Sequence, residues 1–192
     1  MILKTTPVSE AEGLTSEIFD GETASLGYVP THTQAMAIAP EAYLAFEAML
    51  GAITASMDLR RYELITLAAA EAIGSTHCRL AHGVKSLQAF TEDQLAAIAR
   101  DFRNAGLAPE EVAMMEYARK LSLNAAAMTD ADTLELRGHG FTDRDIMDIT
   151  LAAAARNYLS RALLALAVDL DVPPSLSPEL REALLAPLAP PG

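Results

Sequence analysis

The sequence has little of several things: one cysteine, Cys78, no tryptophan, and only 5% aromatic residues. A single cysteine excludes an intramolecular disulfide, a disulfide-stapled secreted scaffold and a four-cysteine zinc site. A reducing compartment, most simply the cytoplasm, is therefore expected. No uninterrupted apolar run reaches the roughly 18 residues of a membrane span, and the first residues lack the apolar segment of an export signal. We expect no membrane association.

Positive charge is also scarce. There are 14 Lys and Arg residues against 26 Asp and Glu residues, which gives a formal net charge of −12. The acidic residues are spread along the chain and repel the phosphates of nucleic acids. We therefore expect no nucleic-acid partner, whereas the charge says nothing about small substrates.

Alanine, leucine and glutamate dominate the sequence, and apolar and polar residues do not alternate with a period of two. This pattern predicts an all-α fold. The length fits one domain, residues 1–192. Capping residues, prolines and glycines predict helices over residues 9–19, 28–38, 40–56, 59–73, 76–90, 92–104, 109–124, 143–169 and from 178 onwards, with a further helix after Thr129. The proline-rich residues 187–192 are expected to be frayed.

A degenerate two-lobed repeat is an alternative description of the same helices. Residues 40–90 and 109–169 have a similar succession of long helices, but the second half has no cysteine or histidine at the matching junction. Alanine-rich helices resemble one another by composition alone, so the pattern leaves this alternative open.

The polar residues around Cys78 have the spacing of an activated thiol. Gly74 is expected to end one helix and Ser75 to cap the next, which puts Cys78 at the third helical position, where free backbone N–H groups favour a thiolate. His82 lies four residues later, on the same helix face. If the two helices fold back at the glycine, the Glu63 carboxylate can reach the histidine. This arrangement predicts a Glu/His/Cys proton relay.

The segment 60–90 resembles the core motif of the alkylhydroperoxidase D-like family, Glu-(11 residues)-Cys-x-x-Cys-x-x-x-His with a histidine often before the second cysteine. This family belongs to the carboxymuconolactone decarboxylase superfamily, and the chain is most similar to its peroxidase-related subgroup. Four of the five positions match, namely Glu63, His77, Cys78 and His82. Ser75 stands where the first cysteine of the family would be. The likeness extends more weakly over about residues 28–173.

The resemblance implies an orthogonal helical bundle that forms homo-oligomers and needs no cofactor and no metal. It implies that Cys78 is the cysteine that attacks small or alkyl hydroperoxides, that Glu63 and His82 relay the proton, and that His77 is a secondary site residue. Because Ser75 replaces the resolving cysteine, no Cys-x-x-Cys disulfide can form. Turnover is therefore expected to need an external thiol or disulfide reductant.

Two other functions stay open from the sequence. The first is the lyase activity of the superfamily on a lactone acid, with Arg60, Arg61 or Arg79 as the group that binds the substrate carboxylate. The second is a non-catalytic helical oligomer with a redox-sensing thiol. A zinc site at the same residues is disfavoured because His77 and His82, five residues apart, diverge on a helix.

Two further residues carry expectations that the structure can test. Arg156 lies within an apolar helix, where a buried guanidinium must be paired, and Asp145, Asp148 or a residue of another subunit is the expected partner. His32 has a loop-like context and is expected to be solvated.

Overall fold

The computed structural model describes residues 1–186, and regular structure in that range is entirely helical. The predicted all-α class is confirmed, whereas the expected fraying of residues 187–192 lies outside the described residues. Short 3-10 turns occupy Val8–Glu10, Phe102–Asn104 and Ala125–Ala127. The α-helices within the described range are α1 (Gly13–Leu26), α2 (Thr31–Met36), α3 (Pro40–Thr54), α4 (Leu59–Ile73), α5 (Thr76–Ser86), α6 (Glu92–Asp101), α7 (Pro109–Asn124), α8 (Asp130–Gly138), α9 (Asp143–Ala165) and α10 (Pro178–Leu185).

Side-chain caps fix the helix starts that the sequence predicted best. The Asp58 carboxylate accepts the N–H of Arg61 at 2.8 Å and starts α4. Thr91 and Thr142 start α6 and α9 with capping boxes. Each of these side chains satisfies a backbone donor that the first helical turn leaves free.

Helix ends were predicted less well. Gly21 was expected to end the first helix, but α1 continues through it to Leu26 and ends at Gly27, which adopts φ 81°. A glycine inside a helix costs only about 1 kcal/mol, so it ends a helix only where the chain takes the left-handed conformation. Helices α5 and α9 also end four residues earlier than expected, at Ser86 and Ala165.

Helix α4 is the centre of the molecule. It packs most extensively against α7, α9 and α5. Every side chain from Glu63 to Ala70 is buried, which requires neighbours on all faces of the helix. Apolar residues such as Leu64 and Ile65, both fully buried, fill most of this surface. The buried glutamate therefore lies in an apolar core.

The C-terminal helix α10 packs on α5 and α6. A Cβ atom at Gly83 of α5 would lie 2.4 Å from Cδ1 of Leu184. The buried Arg79 guanidinium, also on α5, ties these helices together by donating to backbone carbonyls of Ala99, Ala183 and Ala186. Helix α5 thus packs on the central helix α4 and on α10, and its Arg79 also donates to α6.

One face of α9 is apolar and exposed. Met147, Leu151, Ala154 and Tyr158 follow one another at helical spacing along it, and we call them the α9 stripe. The Tyr158 ring stacks on Phe46 of α3 with 5.1 Å between centroids. Across residues 1–186, no helix combines the length and apolar character needed to cross a membrane.

Candidate active site

A tight turn between α4 and α5 builds the site. Gly74 has φ 77°, a left-handed conformation that glycine adopts without steric cost. The N–H of Ser75 donates back to the carbonyl of Ala70 at 2.9 Å, which closes the end of α4. Helix α5 therefore folds back along α4, and residues 19 positions apart in sequence meet, as the Glu63–His82 contact shows.

Glu63 and His82 form a buried pair. The carboxylate Oε2 lies 2.8 Å from His82 Nδ1, and Ser86 Oγ donates to the same oxygen at 3.4 Å. Burial raises the pKa of Glu63 to about 7, although the charges of Lys85 and Arg156 oppose the rise. Burial also lowers the pKa of His82 well below its ordinary value, and the charges of the same two residues add to that effect. Near neutral pH the pair thus gains or loses a proton at the carboxylate while the imidazole stays neutral.

The sulfur of Cys78 is held by α9. Ser160 Oγ donates to Sγ at 3.1 Å, and Arg156 Nη1 donates to it at 3.5 Å. These two residues are one turn apart and therefore share a face of the helix. Cys78 is at the third position of α5, as predicted, and is 2% exposed. A guanidinium, a hydroxyl and a helix N-terminus together favour the anionic form of the sulfur.

Arg156 also binds a phenol. Its Nη2 donates to the Tyr62 hydroxyl at 3.1 Å, and the Tyr62 ring meets the His82 ring edge-on, at 5.8 Å between centroids and 73° between planes. One guanidinium therefore hydrogen-bonds both to the sulfur and to the tyrosine whose ring packs edge-on against His82. Burial lowers the pKa of Arg156, but the charge interactions with Cys78 and Tyr62 outweigh it and raise the pKa.

The two aspartates predicted as partners of Arg156 bind other arginines instead. Asp145 binds Arg61 at 2.6 Å, and Asp148 binds Arg144 at 2.8 Å. Both aspartates lie near the start of α9, two to three turns before the arginine, so their helix carries them away from it. The requirement for a partner is confirmed, and the partners are the Cys78 thiol and the Tyr62 hydroxyl.

Over residues 1–186, neither of the two secondary residues hydrogen-bonds to the sulfur. Ser75 takes the N-cap position of α5, but its side chain makes no capping bond and is fully buried. His77 Nε2 lies 3.2 Å from the carbonyl of Asp169, and the side chain points to the segment after α9. Among the described residues no hydrogen bond joins Cys78 to His82 either. The hydrogen bonds to the sulfur come from side chains of α9 instead.

His32 lies beside the site and is partly buried, whereas the sequence predicted a solvated side chain. It lies in α2, where Asp171 Oδ2 accepts hydrogen bonds from the backbone N–H of Thr31 at 2.5 Å and from its hydroxyl at 2.7 Å. Burial lowers the pKa of His32 to about 4, and the charges of His77 and Arg156 contribute to that shift. His32 is therefore a neutral side chain beside the site near pH 7.

Sequence reasoning missed Tyr62 and Ser160 and misjudged Arg156. Tyr62 directly precedes Glu63, and Ser160 follows Arg156 by four residues. An arginine surrounded by alanines was the available signal, because such a residue requires a buried acceptor. The part of the chain from residue 1 to 186 holds no cluster of three or more His, Cys, Asp or Glu residues with the geometry of a metal site.

No known family profile matches the sequence, and no curated protein is recognisably similar to it. Solved structures are similar. A peroxidase-related protein from Ralstonia eutropha JMP134, described as an alkylhydroperoxidase AhpD core, superimposes with a TM-score of 0.80 at 21% identity, over 96% of each chain. A peroxidase-related protein from Silicibacter sp. TM1040 gives a TM-score of 0.73 at 28% identity, over 87% of this chain and 91% of that one.

The debrominase Bmp8 has the same fold. A cysteine-to-alanine variant of it, in complex with 2,3,4-tribromopyrrole, superimposes with a TM-score of 0.75 at 18% identity, over 96% of each chain. At such identity the likeness concerns the fold alone. These neighbours confirm the predicted helical fold and are consistent with the superfamily that the 60–90 motif resembles.

Proposed function

Because the chain has the alkylhydroperoxidase D-like fold and peroxidase-related structural neighbours, we propose that it is a thiol-dependent peroxidase with Cys78 as nucleophile. The observation that carries the proposal is the environment of the sulfur, which accepts hydrogen bonds from Ser160 and from the buried cation Arg156. A thiolate is the reactive form of cysteine, and both donors stabilise it.

In the first step the Cys78 thiolate attacks the distal oxygen of a hydroperoxide. An S–O bond forms, the O–O bond breaks, and the products are a sulfenic acid and the alkoxide or hydroxide of the peroxide. Sulfur loses two electrons and the peroxide gains them. The cation of Arg156 lies beside the sulfur and stabilises the negative charge as it moves onto oxygen.

Glu63 and His82 together accept the proton of the thiol. When the carboxylate is ionised, His82 Nδ1–H donates to it and Nε2 is left as a proton acceptor. The sulfur and the imidazole share no hydrogen bond within the described residues, so we propose that a water molecule carries the proton between them. Because the pKa of Glu63 is about 7, its carboxyl changes between the protonated and the ionised form near neutral pH. The relay is therefore expected to depend on pH in that range.

The sulfenic acid is then reduced from outside the chain. Ser75 has no thiol, so an external thiol condenses with the sulfenic acid and releases water, and a second thiol reduces the resulting mixed disulfide. The electron donor is therefore a small thiol or a thiol of a partner protein.

The lyase alternative is weakened by the positions of the three candidate arginines. Arg60 binds Glu111 at 2.6 Å and Arg61 binds Asp145 at 2.6 Å. Arg79 is buried and donates to backbone carbonyls. Each guanidinium is already engaged elsewhere and would have to leave its partners to bind a substrate carboxylate.

Mass spectrometry of Cys78 after exposure to hydrogen peroxide tests the proposal. With a sulfenate-trapping reagent and no thiol, the chain should gain one adduct, and added thiol should give a mixed disulfide instead. Because this is the only cysteine, the modified residue is unambiguous. Absence of any adduct, together with turnover of a lactone acid by a Cys78→Ser variant, would favour the lyase.

A pair of arginine variants tests the role of the cation. Arg156→Met should slow sulfenate formation about 10- to 100-fold, since a hydrogen bond to a charged group contributes about 1.5–3 kcal/mol. Arg161→Met is the matched control, because Arg161 is on the same helix but binds Asn157 and the carbonyl of Ser122. Equal rates in both variants would remove Arg156 from the mechanism.

A further inference from the structure

We infer that Tyr62 is a catalytic residue, the acid that protonates the oxygen leaving from the cleaved peroxide. The inference rests on the proposed function, because it concerns the same reaction at Cys78. It assigns to the tyrosine a role that the Glu63 and His82 relay does not fill.

The guanidinium of Arg156 places the phenol beside the sulfur. Its two terminal nitrogens belong to one planar group and are bonded to the same carbon atom. Nη1 donates to Cys78 Sγ at 3.5 Å and Nη2 donates to the Tyr62 hydroxyl at 3.1 Å. The nucleophile and the phenol oxygen are therefore hydrogen-bonded to neighbouring nitrogens of one guanidinium. A peroxide that is attacked at its distal oxygen extends its second oxygen away from the sulfur and, in the inferred orientation, towards the phenol.

The hydrogen bond from Arg156 also determines what the phenol can do. Its oxygen accepts from the guanidinium, so its own proton is free to be donated. When the O–O bond breaks, the leaving oxygen takes this proton and departs as an alcohol or water. The negative charge then rests on a phenolate next to a cation. Tyr62 is partly exposed, so solvent can return the proton before the next turnover.

The other hydroxyl and imidazole groups of the site are engaged. Ser160 donates its proton to the sulfur. His82 is paired with Glu63 through Nδ1, and its Nε2 accepts the thiol proton in the proposed relay. A serine hydroxyl is also a much weaker acid than a phenol, whose ordinary pKa is about 10. Tyr62 thus combines the required position with the required acidity.

The test is Tyr62→Phe with a series of hydroperoxides whose leaving alkoxides differ in basicity. Stopped-flow measurement of sulfenate formation should show a loss of roughly 100-fold or more for basic leaving groups, the range typical of general acid catalysis. The loss should shrink as the leaving group becomes less basic, because a weak base needs no proton. Alkylation of Cys78 by iodoacetamide, which needs no acid, should stay within a few-fold of the wild-type rate.

Tyr117→Phe is the matched control. Its hydroxyl also makes one hydrogen bond, to Thr150 at 2.9 Å, and the residue lines a surface depression with Lys120. Its peroxide rates should equal those of the wild type. If Tyr62→Phe changes all peroxides and iodoacetamide by the same factor, the tyrosine only positions Arg156 and the inference is wrong. If the wild type forms no sulfenate at all, the proposed function itself fails, which is a separate result.

Discussion

Replacing Glu63 by glutamine should remove a cost in stability that grows with pH. The carboxyl is buried, lies 2.8 Å from His82 and has a pKa of about 7, raised by burial from an ordinary 4.5. In the unfolded chain it ionises near 4.5, whereas in the folded protein it keeps its proton to neutral pH. The wild-type protein is therefore most stable relative to the glutamine variant below pH 4.5. This relative stability falls as pH rises towards and through 7.

The size of the effect follows from that difference in pKa. Each unit of pKa corresponds to about 1.4 kcal/mol, so ionisation of the buried carboxyl costs on the order of 3 kcal/mol. Glutamine has nearly the same shape and can still donate a hydrogen bond to the imidazole, as the protonated carboxyl does. It carries no charge at any pH. Most of the cost should therefore disappear in Glu63→Gln.

Urea unfolding of both proteins at pH 4.5 to 8 measures this difference. The free energies of unfolding should be similar at the acid end, and at pH 8 the variant should be more stable by about 3 kcal/mol. His82 stays neutral in both folded proteins, so its own titration in the unfolded chain cancels in the comparison. A difference that does not change with pH would refute the assignment of the buried proton to Glu63.

Three further predictions concern the surroundings of the site. Gly83→Ala should lower the free energy of unfolding by about 1–3 kcal/mol, because the new methyl group would lie 2.4 Å from Leu184 Cδ1; urea unfolding measures it. Ser75→Cys should let the Cys78 sulfenate close a disulfide within the chain, seen by intact mass after peroxide without added thiol. Wild-type protein should be a dimer or larger by light scattering at micromolar concentration, and Leu151→Arg, in the α9 stripe, should be monomeric.

Each of these predictions has its own control. Gly21→Ala adds the same methyl group inside α1, where it meets nothing within 4 Å, and should be neutral or stabilising by up to about 1 kcal/mol. Leu164→Arg adds the same charge elsewhere on α9, at a residue also exposed, and should leave the oligomer intact. Equal losses of stability in the two glycine variants would contradict the packing argument. If neither leucine variant is monomeric, the interface argument is wrong. A reduced Ser75→Cys chain after peroxide would show that the second thiol does not reach the sulfenate.

Most of the helices could be predicted because the residues that start a helix lie within a few positions of its first turn. A carboxylate or hydroxyl at a helix start satisfies backbone N–H groups two or three residues away, and Asp58, Thr91 and Thr142 all do so. Whether a glycine ends a helix depends on the backbone conformation that the surrounding packing imposes. Gly21 and Gly74 are both glycines inside helical sequence, but only the second adopts a left-handed conformation.

The site also has one part that local sequence predicts, the Glu63–His82 pair, and one part that it does not, the residues of α9 that bind Cys78. Glu63 and His82 lie on consecutive helices that are connected by a turn at one glycine, so their meeting could be predicted from spacing. Arg156 and Ser160 reach Cys78 from about 80 residues away. Their approach depends on how α9 packs against α4 and α5, which no local pattern encodes. The requirement that a buried guanidinium be paired was visible in the sequence, but the identity of its partner was not.

Helix α2 has a consequence for local unfolding. It has six residues, too few to be stable alone, and its first N–H is bound by the carboxylate of Asp171, 140 residues later. The helix and the segment after α9 should therefore open together. Backbone amides of α2 should exchange with deuterium faster in Asp171→Ala, while those of α4 keep their protection. We therefore expect the side of the site beside His32 to lose its amide protection before the α4 side does.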